Sequence, residues 1–164
     1  EECPDTTEAH FKDTLAAGRG LCDPALARLL VEEGPARIRE MDAWKVGWAR
    51  AEDGSHIRQV HAPGHDRPRC VYVDFLNTGP AVSRTLRTQL NPVSAVRRIG
   101  DIVITDIAIH DGQATGAVGF HLGSGAAVSL RAGAPITAPG GLTRLYARNS
   151  ASANMGGDGY ALAY

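Results

Sequence analysis

Cysteine is scarce in this 164-residue chain. Cys3, Cys22 and Cys70 are odd in number and widely spaced, which excludes a disulfide framework, and no CxxC pair is present. A reducing, cytoplasmic setting is the matching expectation. Long apolar runs are missing too: none approaches the roughly 18 residues of a membrane span. Residues 1–10 are acidic and hold no Lys or Arg, so they do not read as a secretory signal. An excess of either charge is also lacking. Seventeen Lys and Arg face 18 Asp and Glu, for a net charge of −1. That gives no electrostatic case for nucleic acid or an anionic membrane, because phosphate binding needs a concentrated basic surface. Arg97 and Arg98, with Arg84 and Arg87 nearby, are followed by Asp101 and Asp106 and read as a solvated face.

What is present suits a globular chain. Hydrophobic residues make up 43% and charged residues 21%, ordinary values, and the length is enough for one domain with a core. Nineteen glycines are more than usual and concentrate after residue 100, which points to tight turns and close backbone packing there.

Helical signals dominate residues 1–48. Asp5-Thr6-Thr7-Glu8 resembles a capping box, with Asp5 as the cap of a helix that runs to about Ala17 and stops at Gly18. Asp23-Pro24 pairs an N-cap with Pro at the first helical position. Leu26, Leu29, Leu30, Ile38 and Met41 follow near helical spacing, and Gly34-Pro35 interrupts them, so two helices are predicted, over 24–33 and 35–43. Trp44 and Trp48 are expected to pack where the chain leaves them. Residues 49–79 read as loop with short strands, at Ile57–His61 and Cys70–Phe75. Residues 80–164 open with a helix over Pro80–Leu90, with Thr78 as its cap and Val82, Leu86 and Leu90 on one face.

The clearest pattern lies beyond it. Ile102, Ile104, Ile107 and Ile109 end at Asp111-Gly112, Thr115–Leu122 ends at Gly123-Ser124-Gly125, and Ala127–Arg131 completes an antiparallel β-meander. A short strand is expected at Ala134–Ala138, then Pro139-Gly140-Gly141, a loop, Gly156-Gly157-Asp158-Gly159, and a helix from Tyr160. The sequence ends one turn into that apolar helix, which suggests a piece of a longer domain.

Two glycine constellations could carry chemistry. In Thr137-Ala138-Pro139-Gly140-Gly141, small residues let another backbone or a flat cofactor come close. In Gly156-Gly157-Asp158-Gly159, a helix start offers unpaired amides to an anion, and the adjacent carboxylate can accept from a sugar-like hydroxyl. Taken singly, each is equally a tight turn. His56, His61 and His65 share one loop with Asp66, but prolines and glycines separate them, so ordinary loop histidines are favoured over a metal site. A metal-dependent hydrolase built on those histidines, and a stand-alone module without cofactor, are the competing functions.

In this order after a β-meander, the constellations resemble the flavoprotein subunits of the succinate dehydrogenase/fumarate reductase family, which includes L-aspartate oxidase. The likeness covers nearly the whole chain. Glu8–Leu15 and Leu30-Val31-Glu32-Glu33 are similar to the family's early helices. Trp44-Lys45-Val46-Gly47-Trp48 is similar to its WGVPF turn, and Pro68-Arg69-Cys70 with Thr78-Gly79 to its RC…TG region. Gly140-Gly141 corresponds to the end of ATGG, and Gly157-Asp158-Gly159 to TGDG.

The resemblance implies an α/β fragment: N-terminal helices, the meander, and part of the parallel sheet of an FAD-binding domain, with residues 1–164 forming a single partial domain. It implies FAD, lined by Ala138, Gly140, Gly141, Gly157, Asp158 and Gly159, with Thr105 toward the adenine. It implies hydride transfer between a small carboxylate substrate and flavin N5, the remainder of the flavoprotein as partner, an iron–sulfur subunit beside it, and placement in the cytoplasm or at the inner face of a membrane. The chain departs from the pattern in places. The GxGxxG pyrophosphate cradle is not in these 164 residues. Pro139 stands where the family has the Thr of ATGG, and Pro80 follows Thr78-Gly79.

Because both the pyrophosphate cradle and the catalytic acid that the resemblance implies are not among these residues, the 164-residue chain on its own is expected to show no turnover and at best weak FAD binding. Isothermal titration giving submicromolar affinity would contradict that expectation.

Overall fold

The computed structural model describes residues 5–74 and 76–164. It contains two compact units, Glu1–Val96 and Arg97–Tyr164.

In the first unit, helix α1 spans Thr7–Gly18. Its cap is Thr6, whose hydroxyl accepts from the Ala9 amide at 3.1 Å. That places the cap one residue later than the capping-box reading and leaves Asp5 outside the helix, where its carboxylate accepts from the Thr6 amide and from Arg69. The left-handed residue after the helix is Arg19, not Gly18. Gly18 is needed for a different reason: a Cβ there would lie 2.2 Å from the Cys22 sulfur.

Helix α2 spans Pro24–Ala43, capped as expected by Asp23, which accepts from the amides of Ala25 and Leu26. The predicted break at Gly34-Pro35 does not occur. Pro35 removes one helical hydrogen bond, to the carbonyl of Val31. Packing outweighs that loss. Ala27 and Val31 are buried before the proline, and beyond it Ile38 is half-buried and its carbonyl accepts from the Trp48 indole at 3.3 Å. Glu8 of α1 binds Arg28 of α2 at 2.8 Å, and the Arg28 guanidinium lies 3.7 Å from the centre of the Phe11 ring. Val46 and Trp48 complete the core, where the chain leaves α2.

Two short strands follow, β1 (Gln59–Val60) and β2 (Cys70–Val71), paired antiparallel. The strand expected at Cys70–Phe75 is therefore two residues long, and Phe75 lies outside the described residues. The Asp74 carboxylate explains the early end: it accepts from the amides of Leu76 and Asn77 and turns the chain into α3, Thr78–Leu90. Thr78 lies inside that helix, with Asn77 at the cap position. Its hydroxyl accepts from the Val73 amide.

In the second unit, β3 (Ile102–His110), β4 (Gln113–His121) and β5 (Ala127–Arg131) form the expected antiparallel meander in the order β3-β4-β5. Asp111 and Gly112 both have left-handed φ, 50° and 74°, the backbone of a two-residue hairpin turn that fits strand twist. The β3–β4 register shifts twice, leaving Thr105 and Thr115 as bulge residues. After β5 come a short 3-10 turn at Thr143–Leu145 and helix α4, Asp158–Ala163, which packs against β3.

The class stands as expected, helices with a meander, but one detail is corrected. Ala134–Ala138 forms no strand, and every sheet pairing among the described residues is antiparallel, so the expected part of a parallel sheet does not form among them. Pro135 lies within that segment and Pro139 follows it, and neither can donate to a ladder.

Trp48 is 5% exposed and its indole holds the carbonyl of Ile38. Trp48→Ala is expected to lower unfolding stability by about 3–5 kcal/mol, read as an earlier midpoint in urea unfolding.

Candidate functional site

In the second unit the two glycine constellations are folded onto each other. The first bend carries Gly140 with φ 89°, and Gly157, with φ 91°, precedes α4. The amide of Arg144 donates to the carbonyl of Met155 at 3.1 Å, tying the connecting loop to itself. The Met155 side chain reaches the first bend, its methyl 3.4 Å from where a Cβ on Gly141 would be.

Two contacts set the spacing between the bends. A Cβ on Gly157 would lie 2.9 Å from the Leu142 side chain, and one on Gly159 would lie 2.5 Å from the Pro139 ring. Real Cβ contacts are not that short, so only glycine allows this approach. Beside the join lies an open cleft of about 490 Å³, bordered by Thr137, Pro139, Gly140, Gly159 and Tyr160.

Each residue singled out from the sequence has a definite place. Gly140 and Gly159 border the cleft. Ala138 sits in the same bend between Thr137 and Pro139, two of the lining residues. Gly141 and Gly157 stand behind the join, against Met155 and Leu142. Asp158 is exposed in the first turn of α4. Thr105 lies on a different element: it is the bulge residue of β3, exposed, with its hydroxyl donating to the Val118 carbonyl at 3.4 Å.

The loop histidines do not converge. His56 meets Ser55 at 2.8 Å, whereas His65 faces His10 edge-on with ring centres 5.4 Å apart. Among the described residues no group of three or more His, Cys, Asp or Glu is placed to hold a metal ion.

The first unit holds a charged node that sequence spacing did not reveal. The Arg69 side chain is 6% exposed and binds Asp5 through two parallel contacts of 2.7 Å. It also binds Asp13 at 2.5 Å, His65 at 3.0 Å and Asp66 at 3.3 Å. Arg69 lies 64 and 56 residues from Asp5 and Asp13, so only the fold could show the node. The hydrogen bond from Arg69 holds the carboxyls of Asp5 and Asp13 below the usual range, and the Asp5 carboxylate in turn pushes the guanidinium up. Partial burial, then the Arg69 charge, hold His10 below its ordinary value. A guanidinium has no acceptor, so at this contact Arg69 donates and the facing Nδ1 of His65 accepts.

Comparison with known proteins gives a consistent picture. A family model described as "FAD binding domain" matches residues 2–164. The fumarate reductase flavoprotein subunit of Serratia sp. is 30% identical over 98% of this chain, which spans 26% of that protein. L-aspartate oxidase of Caulobacter vibrioides is 32% identical over 97% of the chain, which spans 31% of it. Among solved structures, Escherichia coli quinol fumarate reductase FrdA superposes with a TM-score of 0.92 at 28% identity, covering 99% of this chain and 28% of FrdA. Mycobacterium smegmatis Sdh1 in its apo form gives 0.86 at 30% identity, covering 97% of this chain and 28% of Sdh1.

The Arg69 node makes stability depend on acid. Folding depresses the His10 pKa below 6.5, so its contribution is complete above that value and is lost as pH falls through the depressed one. The Asp5 and Asp13 contributions are complete above 3.8 and are lost at lower pH still. Thermal unfolding followed against pH should therefore weaken in two acid windows, with His10→Gln removing the upper one. A wild-type midpoint that falls no more than that of His10→Gln as pH drops below 6.5 contradicts the His10 assignment.

Proposed function

Because the chain belongs to the FAD binding domain family, alongside fumarate reductase flavoprotein subunits and L-aspartate oxidases, we propose that its second unit holds FAD at the cleft between the Thr137–Leu142 bend and the start of α4. The observation that carries this reading is the pair of interlocked bends. Gly140 is left-handed and borders the cleft, so a flat ligand can come close to main chain there. Asp158 is exposed in the first turn of α4 and supplies a carboxylate to accept from a sugar-like hydroxyl of the cofactor. Ala138, Gly141, Gly157 and Gly159 act through their small size and main chain, and Thr105 is assigned to the adenine side.

The chain spans less than a third of the length of these relatives. The activity proposed for the full-length protein is oxidation or reduction of a small carboxylate compound. FAD, when bound, supplies the hydride-accepting ring chemistry. The residues described above orient the cofactor, and other segments of the full-length protein supply the pyrophosphate cradle and the substrate-side acid. An iron–sulfur subunit is the proposed electron partner, nucleic acid is not a partner, and the proposed location is the cytoplasm or the inner face of a membrane reached through other subunits. No helix among the described residues is long and apolar enough to cross a membrane.

Replacement of the exposed carboxylate tests the reading. In the full-length apoprotein, Asp158→Ala should weaken FAD binding by at least about tenfold, the value of one charge-assisted hydrogen bond, with the thermal midpoint of the apoprotein unchanged. Isothermal titration reads the affinity. Equal affinity in wild type and variant contradicts the role of Asp158, and a wild-type protein that binds no FAD contradicts the function.

A further inference from the structure

The fold gives Pro139 a specific neighbour. The space above the Gly159 Cα is filled by the Pro139 ring. A Cβ built on Gly159 would lie 2.5 Å from Pro139 Cγ, 3.3 Å from Cδ and 3.9 Å from Cβ. Both residues border the cleft. A proline has no amide N–H, so position 139 offers a ligand no backbone donor, and its φ is restrained by the ring. Residue 139 thus contributes shape and no backbone donor.

We propose that Pro139 is a positioning residue for the cofactor: its ring, seated on Gly159, sets the distance between the first bend and the first turn of α4, and so the width of the slot in which the cofactor meets main chain. This rests on the flavin reading of the cleft. The slot is sensitive because its two walls come from bends about 20 residues apart in sequence, joined by a loop with few regular hydrogen bonds. Near this join, contacts among Pro139, Leu142, Met155, Gly157 and Gly159 hold the bends in register.

The distances make the proposal testable by suppression. Gly159→Ala places a methyl into the ring. Pro139→Ala removes Cγ and Cδ, and leaves only the Cβ contact at 3.9 Å, an ordinary van der Waals distance. The Gly159→Ala change should therefore be harmful beside Pro139 and tolerated once Pro139→Ala is also present.

The experiment measures FAD affinity and the apoprotein thermal midpoint for full-length wild type, Gly159→Ala, Pro139→Ala and the double variant. Gly159→Ala is expected to lose roughly tenfold or more in affinity, and the double variant to bind within about threefold of Pro139→Ala. The visible circular dichroism of flavin bound to Pro139→Ala should differ from that of wild type, because the slot width has changed around it. Gly159→Ala binding like wild type overturns the proposal. So does a double variant about tenfold or more weaker than Pro139→Ala, a comparison that holds even where Gly159→Ala alone does not fold. An unchanged flavin spectrum in Pro139→Ala reduces the proline to packing and overturns its positioning role. A wild-type protein that binds no FAD removes the flavin reading itself, a result distinct from failure of suppression in a protein that binds it.

Discussion

The close approach of two main-chain bends, Pro139 onto Gly159 and Leu142 onto Gly157, is the constraint on which the candidate site depends. Each contact is closer than a Cβ permits, so the glycines act by what they lack. Once the bends are joined, the consequences follow locally. Gly140 is left beside the cleft, α4 begins at a fixed place, and Asp158 stands exposed in its first turn. The meander supplies the support: α4 packs on β3, and β3 is held by a ladder to β4 that two bulges interrupt.

The parts that were legible in sequence were those governed by local rules. Alternating isoleucines and an Asp-Gly pair specify a hairpin because side-chain period and turn backbone are both local. Asp23-Pro24 announces its helix for the same reason. Local rules fail where distant packing decides. The Gly34-Pro35 break is absorbed into one helix because burial of Ala27 and Val31, and the indole contact to Ile38, act across it. The cap falls one residue later than the capping box places it because Asp5 is engaged by Arg69, far away in sequence. The strand expected at Ala134–Ala138 does not form because the prolines at 135 and 139 outweigh the apolar composition between them.

The candidate site divides along the same line. Its glycines and Asp158 could be picked out because small residues and a carboxylate next to a helix start are a sequence pattern. The Pro139–Gly159 contact and the Arg69 node could not, since each joins residues whose nearness exists only in the folded chain.

The most direct measurement is an experimental structure of the full-length protein with FAD bound. The account predicts cofactor against the main chain at Gly140, a sugar-like hydroxyl within hydrogen-bond distance of the Asp158 carboxylate, and the Pro139 ring still seated on Gly159. FAD bound away from this cleft, or bound here with Asp158 turned from it, would contradict the account.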